Sequence, residues 1–287
     1  APGSISPCAA LRTQISRDAG DECARTLVLG WAESAEAACA QLARLRAQGV
    51  DARFEEALTR AQNIVGRMRF DLPDVALERM INDWLPYQTQ VSRLWARAGY
   101  YQPGGAYGFR DQLQDLLAIV DTDPRQARAH ILRCAAHQFR AGDVQHWWHE
   151  PYRGVRTRIT DDMLFLPYLT ALYVEHTGDA GILDETAPYL EDVEIPAGAE
   201  DIYCDCTPSD ELDTLRGHCL RAIRRADTRG EHGLPLMGAG DWNDGMNRVG
   251  AQGRGESVWL TEFLIACATE YARIAPDESD AAWLSAL

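Results

Sequence analysis

The chain has 287 residues, 46% of them hydrophobic and 25% charged, which is typical of a globular protein and excludes a disordered, collagenous or coiled-coil chain. This length is sufficient for one large domain or two of ordinary size. The 28 arginines, in a sequence without lysine, are outnumbered by 43 aspartates and glutamates, and the net charge is -15. Such a charge repels nucleic acid and anionic membranes, so we expect neither as a partner.

The eight cysteines indicate a compartment and not a disulfide framework. A chain of this size buries its own core without disulfides, so we expect a reducing, cytoplasmic location, as a free protein or as the cytoplasmic part of a membrane-anchored parent. The first residues lack the basic and apolar regions of a signal peptide. We therefore expect the remainder of a larger polypeptide to accompany this sequence.

The first predicted elements are two short strands within residues 8–31, where apolar residues alternate with polar ones and a second apolar run follows a turn. Because two strands are not stable alone, we assign residues 1–31 to the end of a β-sandwich domain. From residue 32 onward, the spacing of the apolar residues becomes that of a helix. Residues 32–72 form a helical linker with one helix capped by Ser34 and a second over about 52–68.

The third region, residues 73–287, is predicted as a series of six clear helices. Their approximate bounds are 74–98, 111–121, 124–140, 160–176, 209–230 and 257–273, with N-caps at Asp74, Asp123, Thr160, Ser209 and Ser257 and an interruption at Pro86. Long loops separate them at 99–110, 142–159, 191–208 and 230–256. Loops of this length usually carry function. The fold class is therefore mostly α, with an α/α toroid favoured over a solenoid because no fixed repeat is present.

The loop 238–256 contains carboxylates, carboxamides, an indole and guanidiniums among glycines that allow close approach of a ligand. An indole offers a flat apolar surface to the C–H face of a sugar, and the polar side chains pair with its hydroxyl groups. The sequence therefore predicts a sugar site here. Its candidate residues are Asp241, Trp242, Asn243, Asp244 and Arg248.

Three alternatives for this loop are weaker. A surface loop rich in Asx turns would leave Trp242 uncovered. A calcium loop needs an oxygen ligand at the fifth position, which is Gly245 here. A dinucleotide fingerprint needs a strand and a helix around its glycines, and the sequence predicts neither at this position.

Two further segments carry candidate substrate residues. Arg110 and Asp111 follow a glycine-rich stretch at a helix start, where one can donate to and the other accept from neighbouring hydroxyls, although an ion pair with an N-cap explains them equally well. The segment 143–162 combines tryptophans, histidines and arginines, with candidates His146, Trp147, His149, Arg156, Arg158 and Asp162. Its histidine spacing does not match a zinc helix, and the spacing of Cys204, Cys206, His218 and Cys219 is poor for a zinc finger, so we expect no metal.

With these stretches in this order, the chain resembles glycoside hydrolase family 94, the inverting β-glucoside phosphorylases. The matching stretches are 101–115, 142–149, 240–250 and 255–259, and the similarity covers nearly the whole chain. Within the family, it is most similar to the phosphorylase-like C-terminal region of cyclic β-1,2-glucan synthases and to 1,2-β-oligoglucan phosphorylases. The resemblance implies a β-sandwich, a helical linker and an (α/α)6 barrel. About six of twelve barrel helices are present here, so residues 73–287 are the N-terminal part of a partial barrel.

By the same resemblance Asp244 is the general acid, and Trp242, Arg110 and Asp111 line the donor sugar subsite. The implied reaction is phosphorolysis of a β-linked glucan, with β-1,2 as the expected linkage, to glucose 1-phosphate, with no cofactor and inorganic phosphate as co-substrate. An inverting hydrolase needs a second carboxylate to activate water, whereas phosphate is already an anion and needs mainly positioning. Asp241 and Trp242 are the neighbours that could favour the protonated form of Asp244.

The sequence also departs from the family. Relatives often carry an arginine shortly before Phe-Arg-Asp, where this chain has Gly-Gly-Ala-Tyr at 104–107, so that anion contact is expected to be unfilled. The implied phosphate-binding loops belong to the half of the barrel that lies outside this sequence, and we expect the chain alone to be inactive. Two alternatives stay open: a carbohydrate-binding or length-controlling segment of a glucan synthase, and an inverting glucan hydrolase.

Overall fold

The computed structural model describes residues 10–97, 104–275 and 277–287. The chain divides into two compact units, residues 1–62 and 63–287. About half of the described residues are helical. The helices are α1 (Ala35–Gln48), α2 (Val50–Val65), α3 (Val75–Arg79), α4 (Leu85–Gln88), α5 (Phe109–Leu116), α6 (Pro124–Ala135), α7 (Phe165–Thr177), α8 (Leu215–Ala226), α9 (Asn247–Gly250), α10 (Val258–Ile274) and α11 (Glu278–Ala286). The strands are β1 (Tyr107–Gly108), β2 (Gln145–His149), β3 (Arg153–Thr157), β4 (Thr186–Leu190), β5 (Asp201–Asp205) and β6 (Pro208–Thr214).

The described residues 10–33 contain no strand, so the predicted hairpin is wrong. Leu11 and Leu29 are exposed, and without a packed face or a third strand the backbone pairing of two short strands is too weak to persist. The assignment of residues 1–31 to a β-sandwich domain stays a prediction. The cap at Ser34 is confirmed, since its hydroxyl accepts the N–H of Ala37 at 3.1 Å.

A continuous helical segment runs from residue 75 to 95, as predicted, but it alternates between α and π geometry. The π segments are Met80–Trp84 and Thr89–Trp95, on either side of α4, which contains Pro86. Proline has no N–H to donate to the preceding turn, which explains a change of helical register near this residue. Val75 and Trp84 on this segment are exposed, whereas Leu94 is buried in the core.

The core of the second unit is built from α5, α6, α7, α8 and α10. Its largest fully buried side chains include Trp148, Phe109 and Tyr271. The N-caps at Asp74, Asp123 and Ser257 are confirmed by hydrogen bonds from the backbone two or three residues ahead. The partial (α/α)6 barrel stays a prediction. Within the described ranges, no helix is both long and apolar enough to cross a lipid bilayer.

Two antiparallel sheets lie where the sequence predicted loops and a helix start. One has the strand order β1-β2-β3-β5, and the other pairs β4 with β6. Residues 142–159 and 191–208 are therefore not simple loops. Ser209 does not cap a helix, because it lies within β6, and α8 is capped instead by Thr214, which accepts the N–H of Gly217 at 3.1 Å.

Thr160 was predicted to cap a helix, and this is also wrong. Residues 162–164 form a short 3-10 turn before α7. The Thr160 hydroxyl instead donates to the carbonyl oxygens of Met237 and Gly240, at 3.0 and 3.2 Å. It thereby ties the segment that precedes α7 to the glycine-rich loop that begins at residue 238.

We predict that Gly154→Ala destabilises the second unit by about 1–3 kcal/mol, because overpacking against backbone cannot be relieved by a side-chain rotation. A Cβ at this β3 position would lie 2.1 Å from the carbonyl oxygen of Trp147. Urea unfolding measures the effect. Gly245→Ala is the matched control, since a Cβ there meets open space and its φ is not positive. Equal midpoints for the two variants would contradict the prediction.

Candidate active site

A cleft of about 530 Å³ brings the three predicted segments together. It is lined by the glycine-rich turn before α5, the first turn of α5, the outer side of β2 and the loop after residue 240. The lining residues are Arg97, Gly104, Gly105, Ala106, Gly108, Arg110, Asp111, His146, Trp147, His149, Trp242 and Asp244. Seven of them were predicted from the sequence as substrate-contacting or catalytic residues.

Arg110 is placed by the first turn of α5. Phe109 and Leu113 are fully buried in the core and fix this helix, so the intervening Arg110 is held with only 7% of its surface exposed. Gly108 precedes the helix at a point where a Cβ would lie 2.2 Å from a carboxylate oxygen of Asp111. A glycine is therefore required for Asp111 to turn back over the helix start and face the cleft.

The guanidinium of Arg110 is the hub of the site. One terminal nitrogen donates to both carboxylate oxygens of Asp161, at 2.9 and 3.1 Å, and to the carbonyl oxygen of Asp241 at 3.1 Å. Its other terminal nitrogen donates to the Asp244 carboxylate. Burial lowers the pKa of Arg110, but Asp161, Asp162 and Asp244 raise it more, and the pKa lies above its ordinary value. Arg110 is therefore a permanent cation.

Two adjacent buried carboxylates support this cation. Asp161 is 0% exposed and Asp162 is 1% exposed. Burial and the neighbouring charge of Asp162 raise the pKa of Asp161, against the opposing effect of Arg110. Asp162 lies 3.6 Å from the Arg110 Nε, and its second oxygen lies 2.8 Å from the Nδ1 of His146.

His146 is thereby fixed with its ring at the cleft. Burial lowers the pKa of His146, but the hydrogen bond and charge of Asp162 raise it more, so the pKa lies above its ordinary value. The neighbouring β2 residues Trp147 and His149 also line the cleft and lie edge to face, with ring centroids 5.7 Å apart. β2 thus presents the indole of Trp147 and the imidazoles of His146 and His149 to the cleft.

The loop after residue 240 is organised by Asp241. Its carboxylate is 2% exposed and accepts the backbone N–H of Asn243 at 2.8 Å and the hydroxyl of Ser257 at 2.6 Å. Burial raises the pKa of Asp241, but these donors lower it by more, so the pKa lies below its ordinary value. The structure therefore places Asp241 beneath the loop and gives it a positioning role; it does not line the cleft.

Trp242 and Asp244 form the outer part of the loop. Trp242 is 49% exposed, and the Arg110 guanidinium lies 5.7 Å from its ring centroid. The Asp244 side chain is 56% exposed and bound to Arg110. The predicted burial of Asp244 against Trp242 is not formed, and the oxygens of Asp241 are engaged by Asn243 and Ser257. Asn243 lies in this loop without lining the cleft.

Six predicted substrate residues do not line the cleft: Asp241 and Asn243, the buried Asp162 that supports Arg110 and His146, and three arginines. Arg156 is buried and bound to both oxygens of Asp143, at 2.7 and 2.6 Å, which makes it a structural ion pair. Arg158 donates to the carbonyl oxygens of Ala199 and Ile195, at 3.1 and 3.2 Å. Arg248 is exposed on the short helix α9.

Metal binding was predicted to be absent, and this stays a prediction. Among the described residues, no three His, Cys, Asp or Glu side chains are arranged to hold an ion. Of the four zinc ligands considered from the sequence, Cys204, Cys206, His218 and Cys219, the last two have other partners. The His218 Nδ1 lies 2.7 Å from the side-chain oxygen of Gln138, and Cys219 donates to Thr170.

The sequence analysis missed two residues of the site. Asp161 was not predicted, because the sequence does not show that both adjacent acids turn inward to Arg110. Arg97 has a positive φ of 48°, an uncommon conformation for a residue with a Cβ. Its Nε donates to the carbonyl oxygen of Gly105 at 3.0 Å, and its guanidinium lies 3.7 Å from the Tyr107 ring centroid. Arg97 therefore brings to the cleft a cation that the sequence analysis expected to be missing. Residues 101–103 of the motif lie outside the described residues.

We predict that His146 titrates above 6.5 and that Asp162→Asn moves its pKa to below that value, because burial then acts without the compensating charge. The His146–Asp162 contact stabilises the fold fully below pH 6.5, and this contribution is lost as the pH rises through the folded-state pKa. NMR titration of the histidine ring measures it. Asp121→Asn is the matched control, since Asp121 contacts His176 and not His146. A wild-type pKa at or below 6.5 would contradict the prediction.

One family model and several known proteins match this chain. The catalytic domain of the Glycosyl hydrolase 94 superfamily matches residues 61–285. Cyclic beta-(1,2)-glucan synthase NdvB of Rhizobium meliloti (strain 1021) is 45% identical over 90% of this chain, which is 9% of that protein. 3-O-beta-D-glucopyranosyl-beta-D-glucuronide phosphorylase of Paenibacillus borealis is 29% identical over 90% of this chain and 32% of that protein. 1,2-beta-oligoglucan phosphorylase of Listeria innocua serovar 6a is 26% identical over 59% of this chain and 15% of that protein. The chain spans less than two thirds of each relative and belongs to the glycosyl hydrolase 94 superfamily, as the resemblance predicted.

Proposed function

We propose that this chain supplies part of the active site of an inverting phosphorylase that cleaves β-linked glucan, with β-1,2 as the linkage, to glucose 1-phosphate. The observation that carries the proposal is the contact between Asp244 and Arg110 inside a cleft with Trp242 beside it. A carboxyl group, a fixed cation and an exposed indole at one mouth are the parts that a glucose-binding acid catalyst needs.

The donor sugar would bind between the indole and the start of α5. Trp242 is half exposed and can cover one face of a pyranose ring. Arg110 donates and Asp111 accepts, so the two adjacent residues can hold neighbouring hydroxyl groups of one sugar. Because Arg110 is fixed by Asp161, it adds little conformational entropy cost on binding.

Asp244 would act as the general acid. It donates its proton to the glycosidic oxygen as the bond from that oxygen to C1 breaks, and the shortened glucan leaves with a hydroxyl group. A phosphate oxygen attacks C1 from the opposite face, which inverts its configuration and gives glucose 1-phosphate. Sugar hydroxyls that compete for Arg110 would release the Asp244 carboxyl from its ion pair.

Phosphate would meet Arg97, His146 and His149, which also line the cleft. Arg97 contacts carbonyl and hydroxyl oxygens, and no carboxylate within the described ranges pairs with it. His146 and His149 provide further donors from β2. A phosphate anion needs such positioning more than it needs a base. The names of the three relatives support this chemistry, since two are phosphorylases, and one of these two and the synthase are named for β-1,2-linked glucan.

We predict that Asp244→Asn in the complete protein lowers the release of glucose 1-phosphate from β-1,2-glucooligosaccharides by about 10²–10⁴-fold, which is the usual contribution of a general acid. Asp210→Asn is the matched control: Asp210 is exposed and lies outside the cleft, and its variant should keep the wild-type rate. An unchanged rate in Asp244→Asn would remove the acid assignment.

The same assay separates the alternatives. Replacing phosphate with an inert buffer should abolish turnover by a phosphorylase, whereas an inverting hydrolase would keep its rate because water is its nucleophile. Calorimetry with the same oligosaccharides would show binding without phosphate-dependent turnover if the protein only binds glucan. Either of these two results would contradict the proposed reaction.

A further inference from the structure

Two cysteines at the end of β5 lie side by side. The sulfur atoms of Cys204 and Cys206 are 2.8 Å apart. β5 pairs only with β3 among the described strands, so it is an edge strand. Residues two apart on a strand are separated by about 6.4–6.8 Å, at the upper end of the Cα spacing that a disulfide spans. Cys206 lies one residue beyond the end of β5, and to bond, the two sulfurs must approach from 2.8 Å to about 2.05 Å.

The two thiols differ in access. Cys206 is 9% exposed and packs with Phe139 and Leu190, whereas Cys204 is partly exposed. Burial raises the pKa of Cys206, and the hydrogen bond and charge of Cys204 raise it further. Cys206 is therefore protonated and shielded, and Cys204 is the thiol that a reagent in solution meets first.

A metal does not account for this pair. The other candidate ligands in the sequence, His218 and Cys219, are engaged elsewhere in the core. The amide nitrogen of Gln145 donates to the Cys206 sulfur at 3.3 Å, and this amide offers no soft ligand. Two adjacent thiols of unequal access, without a third ligand among the described residues, fit redox chemistry better than zinc.

We propose that Cys204 and Cys206 form a reversible dithiol–disulfide site that reacts with low-molecular-weight disulfides such as oxidised glutathione. The Cys204 thiolate attacks one sulfur of the reagent, forming a mixed disulfide and releasing one thiolate. Cys206 gives its proton to that thiolate, directly or through water, and its sulfur attacks Cys204. The second reagent thiolate leaves and takes up the proton that Cys204 had lost. Two protein thiols are oxidised by two electrons, and one disulfide is reduced to two thiols.

The bond would form next to a residue that helps to shape the active-site strand. Gln145, in β2, contacts Cys206 and also lies 2.6 Å from the Nδ1 of His137. Oxidation converts the thiol that this amide contacts into a disulfide sulfur, one residue before His146 in sequence. The inference stands on the sulfur geometry and does not depend on the proposed phosphorylase activity.

The test is disulfide mapping after equilibration with a series of oxidised and reduced glutathione mixtures. The protein carries Cys8→Ser, Cys23→Ser and Cys39→Ser to remove the three cysteines that come first in the sequence, and it is alkylated after unfolding. Trypsin cleaves after Arg158 and Arg216, and the peptide 159–216 contains Cys204 and Cys206 and no other cysteine. We expect this peptide to lose both alkylation sites in oxidised mixtures, and to regain both with dithiothreitol.

Two single variants distinguish the roles of the thiols. Cys206→Ser should accumulate a glutathione mixed disulfide on Cys204, because the resolving thiol is missing. Cys204→Ser should leave Cys206 reduced in the same mixtures. Full alkylation of both cysteines in the most oxidising mixture, or bonds from either one to a cysteine outside the peptide, would overturn the proposal.

Discussion

The active-site cleft depends on one buried cation. Arg110 is removed from water in the first turn of α5, and an uncompensated buried charge costs several kcal/mol. Its compensation comes from distant parts of the sequence: Asp161 and Asp162 before α7, and Asp244 with the Asp241 carbonyl in the loop after residue 240. The requirement to pair this charge therefore draws three segments together. The residues that line the cleft are positioned as a consequence.

The supports of the cleft are buried, whereas the side chains at its surface are exposed. Arg110, Asp161 and Asp162 are buried, and the backbone beside them is tied by Thr160 to the loop that carries Trp242. By contrast, Trp242 and Asp244 are about half exposed. Fixed charges beneath an accessible ring and carboxyl group suit a site that must hold a sugar firmly while one carboxyl group exchanges a proton.

Local signals in the sequence were sufficient for much of this description. Caps such as Ser34 and Ser257 depend on hydrogen bonds within four residues, and the sequence located them correctly. The glycine-rich stretches around Arg110 and Trp242 identified the cleft, because glycines beside aromatic and charged residues indicate close approach of a ligand. The residues around these two positions meet as the sequence predicted.

Non-local pairing explains what the sequence did not reveal. Ser209 has the chemistry of an N-cap, but pairing of its segment with β4 places it in a strand. The strand β2 was read as a loop because its polar and aromatic residues lack a clear alternation, and its partners are β1 and β3. Arg97 and Arg156 show the same limit. Arg156 is buried against Asp143 and does not reach the cleft. Arg97, which has an unusual backbone conformation, lines the cleft.

The central claim is that the Arg110–Asp161 pair holds the cleft together, and a double-mutant cycle on unfolding free energy tests it most directly. Arg110→Met and Asp161→Asn should each cost about 3–5 kcal/mol, because each leaves a buried partner without full compensation. The double variant should cost clearly less than the sum of the two. Costs that add to within about 0.5 kcal/mol would show that the two residues act independently, and would contradict the account.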